Sequence, residues 1–426
     1  MAPYISNVVV GDPIRGQEII SSWHKTSGLI VALSAPFVGA TADAMGRRKP
    51  LLAALTLVLA AAIAAQWWAL PNEQGLPLAT LGAIVIVASV SFVWTEVLHN
   101  AMLTNAAPSE GVSRLSGFGL SLGNASSVLL LVGVLWAFAL PGTMNLPLLP
   151  ERALFGLDPN AHEPSRVVTI LCAVWLLAFS VPLFAHTPDL VSTGRRFGDS
   201  VASGVMSVAR TLRKLRDHRN IAIFLLARMF YADGKTAILI FSGVYASGVM
   251  GWGLIEMLAY GVILSLFAVV GGFVSAALDR TIGAKLAVAS EIGVTLACLV
   301  TMVSVSPTTI FFSIAIDSAD RLWSAPFFNT LPQAVYLGAS LVIAISITAA
   351  YASSRALMAR LSPPAMAGEL FGLYALAASA TAWLGPMLVE TFTHAYESQR
   401  AGFASIALLL VVGLALLLFV RPPKSA

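Results

Sequence analysis

The most specific motif in the chain is residues 39–49, which read Gly39-Ala-Thr-Ala-Asp43-Ala-Met-Gly46-Arg47-Arg48-Lys49 and lie between two long apolar runs. Gly39 lets neighbouring helices approach closely, and Gly46 permits a tight turn. Asp43 stands at a helix end, where it can face the positive N-terminus of another helix. The basic cluster favours the side of a membrane that retains positive charge. The motif therefore predicts a specialised loop between two membrane-spanning helices.

The second half of the chain carries a degraded copy of this motif. It reads Ser275-Ala-Ala-Leu-Asp279-Arg280-Thr-Ile-Gly283-Ala-Lys285. The aspartate and the final lysine align with those of the first copy, whereas the glycine is shifted by one residue. A loop that recurs in both halves is typical of membrane proteins built from two parallel repeats.

The composition excludes a water-soluble globular protein. Of the 426 residues, 58% are hydrophobic and 11% are charged, the formal net charge is +4, and the mean hydropathy is +0.83. Soluble domains carry about 25% charged residues. Eleven segments approach the roughly 20 apolar residues that a spanning helix needs, namely 22–42, 51–70, 79–102, 115–140, 166–186, 220–248, 253–278, 284–305, 331–354, 368–392 and 401–420. Because no segment alternates like a strand, the predicted fold class is an all-α membrane protein with eleven transmembrane helices.

A polar stretch at residues 187–219 divides these segments into two groups. It predicts an N-terminal bundle of five helices at 1–186, a basic linker at 187–219 and a C-terminal bundle of six helices at 220–426. Residues 197–215 have the apolar spacing of an amphipathic helix, which we expect either on an anionic membrane surface or packed on the protein. Seventeen Lys and Arg residues in alternate loops and the tail, against four in the opposite loops, predict a cytoplasmic linker and C-terminus.

The first motif resembles the signature loop between helices 2 and 3 of the major facilitator superfamily, G-x-x-x-D-x-x-G-R-[RK]. Four further stretches resemble the vacuole-effluxer-like branch of that superfamily, namely residues 97–130, 227–248, 354–363 and 369–386. The chain departs from the branch at Tyr351, where glutamine is usual, and at Asn124, where an aromatic residue is usual. The resemblance implies two pseudo-symmetric helical bundles with twelve helices, of which helices 1, 4, 7 and 10 line a central cavity.

Mapped onto that fold, the eleven segments correspond to helices 2–12. Residues 1–10 resemble the outer end of helix 1 and its exit, so the rest of helix 1 is expected to be missing from the sequence. Two interpretations are open. Met1 is an internal methionine taken for the start, which is the preferred one, or the protein is a truncated variant.

Helix 4 is one of the implied cavity helices, and it carries ionisable residues inside an apolar segment. Such residues cost about 2.5–3.5 kcal/mol at the centre of a membrane, so they are candidates for function. Glu96, His99 and Asn100 share one helix face, and histidine titrates near neutral pH. We predict that this face binds substrate or protons, with a structural polar cluster as the alternative.

Helix 7 carries Arg228, Tyr231, Asp233 and Lys235 in its apolar segment. Asp233 and Lys235 are two residues apart and cannot pair unless Gly234 breaks the helix. Asp233 beside Gly234, at a broken or flexible part of this helix, is the predicted substrate or ion contact. The alternative is a buried salt bridge to Arg228 or to another helix. Tyr231 is predicted either to offer its hydroxyl group to a ligand or to pack.

Two further carboxyl groups lie near the ends of predicted helices. Glu256 and Glu291 are expected to be interfacial or paired, and Lys285 and Arg280 are the candidate partners of Glu291. The family resemblance also implies a conformational latch on the cytoplasmic side, formed by Gly39, Asp43, Gly46, Arg47, Arg48 and Asp279.

These features predict a secondary active transporter that moves a small polar metabolite by alternating access, coupled to protons or acting as a uniporter. The resemblance implies an amino-acid-like substrate and efflux. We expect a monomer in the lipid bilayer of a bacterial inner membrane. We expect no nucleic-acid partner, cofactor or metal, because no G-x-x-x-x-G-K-[ST] run occurs and the histidines are scattered. A membrane enzyme is disfavoured for lack of convergent catalytic groups, and the alternative is a non-transporting sensor or scaffold.

Overall fold

The computed structural model describes residues 1–106, 112–142, 149–189, 191, 193, 198–199, 213, 218–317, 320–324, 327–362 and 367–421. The helices of the first half are α1 (Ala2–Tyr4), α2 (Pro13–Met45), α3 (Lys49–Ala65), α4 (Leu78–Ala106), α5 (Val112–Val134) and α6 (Glu163–His186). Those of the second half are α7 (Arg219–Val249), α8 (Leu254–Thr281), α9 (Ala284–Val303), α10 (Leu331–Leu361), α11 (Ala367–Ser379), α12 (Leu384–Tyr396) and α13 (Gln399–Leu418).

Short elements complete the described parts. A π-helical turn, Ile5–Val9, follows α1, and another, Leu135–Ala139, continues α5. Short 3-10 turns lie at Gln66–Trp68, Pro71–Glu73 and Leu154–Gly156. The strands β1 (Thr309–Ile310) and β2 (Ile314–Ala315) form a small antiparallel hairpin.

The predicted all-α membrane fold is confirmed, and each of the eleven predicted segments contains a helix. Within the described residues, seven helices are long and apolar enough to cross a membrane, judged by length and composition, namely α3, α4, α6, α8, α9, α10 and α13. The other predicted segments hold α2, α5, α7 and the pair α11 and α12. The count of eleven spans stays a prediction.

The outside of the bundle is apolar. Large side chains stand exposed on several helices, including Leu129 at 66%, Phe179 at 61% and Phe273 at 75%. Soluble monomers rarely expose contiguous apolar surface on this scale. In a lipid bilayer these side chains face hydrocarbon instead of water, so their exposure has no hydrophobic cost. This surface therefore fits a multi-pass membrane protein.

Packing is denser within each half than between the halves. In the first half α4 packs on α2 and α3, and α3 packs on α6; in the second half α7 packs on α13, and α10 packs on α8 and α9. The halves meet where α2 packs on α12 and where α5 packs on α8. Most of residues 187–219 lie outside the described residues, so the domain boundary and the amphipathic helix at 197–215 stay predictions.

One predicted segment, 368–392, is not a single helix. Helix α11 ends at Ser379 and α12 begins at Leu384, so residues 380–383 form a helix break. Pro386 lies in the first turn of α12, where its missing N–H costs nothing because no N–H of that turn has a partner within its own helix. The break lies in the part of the fold where α2 of the first half touches the second half.

Candidate functional site

Asp233 of α7 is joined to the helix break. Its carboxyl group is 1% exposed, and Oδ2 accepts a hydrogen bond of 2.8 Å from the backbone N–H of Gly385 in the first turn of α12. Helix N-termini carry a partial positive charge and unsatisfied N–H groups, so they favour a carboxylate. The second oxygen, Oδ1, is buried and has no hydrogen-bond partner among the described residues. Asp233 therefore caps α12 with half of its acceptor capacity unused.

The break is tied to both halves of the molecule. Thr381 donates a hydrogen bond of 2.8 Å from its hydroxyl group to the carbonyl oxygen of Met229 on α7. On the other side, a Cβ atom added to Gly28 of α2 would lie 2.5 Å from backbone atoms of Ala382 and Trp383. Helix α2 can therefore approach the break closely only because residue 28 is a glycine.

The predicted break at Gly234 is not present. Helix α7 is continuous from Arg219 to Val249. Gly234 instead allows close packing on α13, since a Cβ atom there would lie 3.0 Å from Cδ2 of Leu410. The sequence predicts a discontinuity in helix 7, but the observed break lies between α11 and α12. Asp233 contacts this break from α7.

The two basic residues in the interior of α7, Arg228 and Lys235, are buried without a carboxylate partner in the described part of the chain. Arg228 is 3% exposed and Lys235 is 5% exposed. The guanidinium carbon of Arg228 lies 3.6 Å from the centre of the Tyr374 ring, and its Nε donates to the Tyr374 carbonyl oxygen at 3.1 Å. No described acidic side chain lies within 4.0 Å of either cation. The alternative of a buried salt bridge between Asp233 and Arg228 is therefore not observed.

A chain of hydroxyl groups links three helices beside these cations. The Tyr231 hydroxyl on α7 lies 2.7 Å from Ser354 Oγ on α10, which lies 2.9 Å from the Tyr374 hydroxyl on α11. The ammonium group of Lys235 lies 5.2 Å from the centre of the Tyr231 ring. Tyr231 thus both packs and forms a hydrogen bond. Ser354 and Tyr374 belong to stretches that the sequence analysis compared with the family, but it assigned them no role.

The expected pairing of Glu291 with Lys285 or Arg280 is wrong. Lys285 donates instead to the carbonyl oxygen of Leu418, at 3.0 Å. Glu291 is 3% exposed and accepts a hydrogen bond of 2.9 Å from Ser353 on α10. Its helix face points into the second-half bundle because α9 packs against α10 there. Glu256 forms a capping contact with the Gly253 N–H at the start of α8.

Two of the helix 4 candidates, Glu96 and His99, lie apart from the buried cluster on α7, which consists of Arg228, Tyr231, Asp233 and Lys235. Glu96 and His99 are exposed on α4, on the face that also exposes Phe92 at 58%. This face turns away from α2 and α3, on which α4 packs. The side chain of Asn100 lies outside the described residues. No described contact joins these residues to the cluster on α7.

The described hydrogen bonds and ion pairs between the halves lie at the end of the bundle opposite to the two motif loops. Gln17 on α2 donates hydrogen bonds to Thr393 at 2.8 Å and to the carbonyl oxygen of Gln399 at 3.1 Å. Lys25 forms an ion pair of 2.6 Å with Glu390. We call these residues the closed end. The predicted orientation places the closed end on the outer side of the membrane.

Each of the two motif loops contains a glycine with a positive φ. Gly46 has a φ of +84° after α2, and Gly283 has a φ of +81° after α8. Only glycine adopts this left-handed region without strain. Gly39 packs near Val97 of α4, Arg47 is exposed and Arg48 is 8% exposed. The positive φ recurs in both loops, whereas ψ is −58° at Gly46 and 154° at Gly283. The side chain of Asp43 lies outside the described residues.

Asp279, the counterpart of Asp43, lies at the end of α8 and is partly buried. Its Oδ1 is buried and has no hydrogen-bond partner among the described residues. The charged group that acts on it is Arg360 on α10, which belongs to the same half. The latch that the resemblance implies is therefore still a prediction for Gly39, Asp43, Gly46, Arg47, Arg48 and Asp279.

Asp189, just after α6, is a residue that the sequence analysis missed. Its two carboxyl oxygens accept hydrogen bonds from the backbone N–H groups of Arg48 at 3.0 Å and Lys49 at 3.1 Å, at the start of α3. The ammonium group of Lys49 also donates to the Phe184 carbonyl oxygen at 2.8 Å. The first motif loop is thereby fastened to the end of α6. The only sign of this contact in the sequence is an acidic residue at the start of the basic linker.

Replacing Asp189 with alanine is expected to lower the free energy of unfolding by about 1 kcal/mol, the usual cost of losing a helix-capping side chain. Thermal unfolding of purified protein in detergent would measure the loss. Asp158→Ala is the control, because Asp158 accepts its bond from Asn160 in an exposed loop and caps no long helix. Equal melting temperatures for Asp189→Ala and the unsubstituted chain would contradict the capping role.

A cavity of about 660 Å³ opens between the ends of α5, α6 and α8. Its lining includes Phe138, Arg152, His162 and Glu256. It opens toward the same side of the bundle as the closed end, and its lining residues do not include Asp233 or Arg228.

Comparison with known proteins points to one family. The sequence profile described as "Vacuole effluxer Atg22 like" matches residues 104–426. The uncharacterized MFS-type transporter YxiO of Bacillus subtilis is 22% identical over 403 residues, which cover 94% of this chain and 83% of that protein. Autophagy-related protein 22-1 of Aspergillus niger is 25% identical over 262 residues, which cover 60% of this chain and 41% of that protein.

Among solved structures, a D-xylose-proton symporter is similar to this chain with a TM-score of 0.64 and 12% sequence identity. The alignment covers 99% of this chain and 93% of that chain. At this identity the likeness concerns the fold alone.

Proposed function

This chain belongs to the vacuole effluxer Atg22-like branch of the major facilitator superfamily, and on that premise we propose that it moves a small, polar, amino-acid-like metabolite across the membrane by alternating access, coupled to protons. The coarser conclusion, that the chain is a multi-pass membrane transporter, follows from the family and the fold. The substrate class, the coupling ion and the direction of efflux are the proposal.

The observation that carries the proposal is the contact between Asp233 and the helix break. Discontinuous helices at the repeat interface are where many secondary transporters bind their cargo, because the freed N–H groups attract anionic groups. Here the first turn of α12 binds a carboxylate of the protein itself. A substrate carboxylate has the same chemistry and would compete for the same N–H groups once the break opens.

The charges around the break fit a zwitterion. Arg228 and Lys235 are buried cations without a described carboxylate partner, so they suit the carboxylate of an amino acid. The unpaired oxygen of Asp233 suits its ammonium group. Tyr231 adds a hydroxyl group to the same helix. All four are buried in this conformation, so binding would require α7 to separate from α11 and α12.

Glu96 and His99 are the proposed proton carriers of the first half. A charged group facing lipid at mid-membrane is costly, so an exposed pair on a transmembrane helix is expected to face water. In the fold that the family implies, helix 4 lines the central cavity. The exposure of both residues in the structure supports that placement, while Asn100 remains a proposed member from sequence alone.

The closed end supports alternating access. Contacts between α2 and α12 at that end would hold the outer side shut while the halves rock about the break. In the other state these contacts would break, and the motif loops would latch the cytoplasmic side. We place the C-terminus in the cytoplasm of a bacterial cell and expect a monomer.

Uptake and counterflow in proteoliposomes test this function. The purified chain would be challenged with a pool of labelled amino acids, with and without an imposed proton gradient. We expect counterflow of at least one amino acid, and accumulation at least about tenfold higher with the gradient, equivalent to about 1.4 kcal/mol. Protein-free liposomes are the control. Absence of flux from folded protein would contradict the amino-acid assignment.

A further inference from the structure

Glu291 is the meeting point of three helices inside the second-half bundle. Its Oε1 accepts a hydrogen bond of 2.9 Å from Ser353 on α10, whose Oγ lies 2.9 Å from Ser275 Oγ on α8. A serine hydroxyl group has one hydrogen to donate. Since Ser353 gives its hydrogen to Glu291, Ser275 must donate to Ser353. The polar chain therefore ends at Glu291, which receives bonds and gives none.

The other carboxyl oxygen of Glu291 is unused. Oε2 is buried and has no hydrogen-bond partner among the described residues. A buried carboxylate with a bare oxygen is expensive, because the desolvation penalty of a charge in a protein interior is several kcal/mol. A proton on that oxygen would remove the charge. The geometry thus provides both a reason to bind a proton and a free oxygen on which to hold it.

The charged groups that face Glu291 come from two other helices. Lys235 on α7 attracts its charge, and Asp279 on α8 repels it. Lys235 is itself repelled by Arg228 and has no carboxylate within 4.0 Å among the described residues. Lys235 and Glu291 are buried groups of opposite charge without a closed ion pair, on helices α7 and α9 that both pack on α13. Such a pair has two alternative arrangements, joined or apart.

We propose that Glu291 is a second proton-binding site, in the half of the molecule opposite to Glu96 and His99, and that its proton controls the position of α7 through Lys235. The inference rests on the proposed proton-coupled transport. A proton from water bonds to the free oxygen of Glu291 and leaves a neutral carboxyl group, which releases Lys235. When the proton leaves, the carboxylate attracts the Lys235 ammonium group and draws α7 toward α9. Asp233 lies two residues from Lys235, so this movement reaches the helix break.

Infrared difference spectroscopy on purified protein in liposomes tests the site without any substrate. Spectra in acidic and alkaline buffer would be compared for the carbonyl band of a protonated carboxylic acid. We expect a band that appears on acidification and is lost in Glu291→Gln. Glu256→Gln is the matched control, since it removes a carboxyl group at the start of α8 and is expected to keep the band. Identical difference spectra for Glu291→Gln and the unsubstituted chain would overturn the proposal.

Two further measurements separate this site from the transport function. Ser353→Ala removes the donor to Glu291 but keeps the carboxyl group, so the band should persist while the pH at which it vanishes shifts. This variant keeps the test decisive if Glu291→Gln fails to fold, and an unshifted titration would then count against the site. In proteoliposomes, Glu291→Gln should lose at least about tenfold in gradient-driven accumulation relative to the unsubstituted chain, which equals about 1.4 kcal/mol. Absence of all flux from the unsubstituted chain would contradict the transport proposal. The infrared test of Glu291 uses no substrate, so its result does not depend on that outcome.

Discussion

Asp233→Asn is expected to lower gradient-driven transport by at least about tenfold while leaving the protein folded. The asparagine side chain keeps a carbonyl oxygen that can accept the hydrogen bond from the Gly385 N–H, which Asp233 accepts at 2.8 Å. It loses the negative charge, and a charge-assisted hydrogen bond is roughly twice as strong as a neutral one. A loss of about 1.4 kcal/mol in the interaction with the helix N-terminus corresponds to a factor of ten.

Asp233→Ala separates this effect from simple capping. It leaves the Gly385 N–H without its acceptor at a buried break, which costs about 1–3 kcal/mol. We therefore expect Asp233→Ala to lower both the melting temperature and the transport rate, whereas Asp233→Asn lowers mainly the rate. Thermal unfolding and proteoliposome uptake, measured on the same preparations, would show the difference.

Asp12→Asn is the matched control for this prediction. Asp12 is also an aspartate at a helix N-terminus, where it accepts bonds from the N–H groups of Ile14 and Arg15 at 2.9 and 3.1 Å. It is exposed and lies far in sequence from the break. We expect its transport rate to be unchanged. If Asp233→Asn transports at the unsubstituted rate with the same pH dependence, Asp233 is a structural cap and takes no part in coupling.

The parts of the fold that the sequence predicts well are those decided by local chemistry. The apolar segments needed only composition and length. The motif loops needed only glycine at the turns, and Gly46 and Gly283 indeed adopt the same left-handed φ. Both kinds of inference depend on neighbours in the sequence, because the bilayer forces each segment to satisfy its own backbone hydrogen bonds.

The sequence signals a helix break in this fold but does not show where the break lies. Gly385 and Pro386 are helix-disfavouring residues inside an apolar run, and they are compatible with either a kinked helix or a break. Asp233-Gly234 offered a competing signal in helix 7. Tertiary contacts decided between them, since Gly234 packs on Leu410 while Gly385 donates to Asp233.

The interior partners of charged residues were not predictable for a similar reason. Asp189 accepts a hydrogen bond from Arg48, 141 residues away in the sequence, and Glu291 accepts one from Ser353, 62 residues away. Helical spacing shows which residues share a face, but it does not show which helix that face meets. Glu291 was therefore paired with basic neighbours in sequence, although α10 supplies its hydrogen bond from Ser353.

Gly28→Ala is expected to have the other large effect, because it attacks the contact between the halves. A Cβ atom at this position would lie 2.5 Å from backbone atoms of Ala382 and Trp383, which cannot move away as a flexible side chain can. Overpacking of this kind costs about 1–3 kcal/mol. The cost falls on the conformation in which α2 lies against the break, so its population should drop by about 5–150-fold relative to the other state.

A reporter cysteine at the closed end measures that population directly. Ser21→Cys places a thiol in a fully buried position one helical turn after Gln17. In the Gly28→Ala background we expect faster reaction with a membrane-impermeant thiol reagent and, because both states must be visited in each cycle, a lower transport rate. The labelling rate of the same protein without Ser21→Cys gives the contribution of the native Cys172 and Cys298, which is subtracted.

Gly133→Ala provides the comparison that makes the result specific. It makes the same change in a first-half helix at a position where an added Cβ atom would meet nothing within 4 Å. Alanine favours the helix over glycine by about 1 kcal/mol, so this variant should be at least as stable as the unsubstituted chain and equally active. Unchanged labelling in Gly28→Ala would mean that α2 does not press on the break in the closed state. The halves would then have to rock about the contact between α5 and α8, and the helix break would lose its place in the transport cycle.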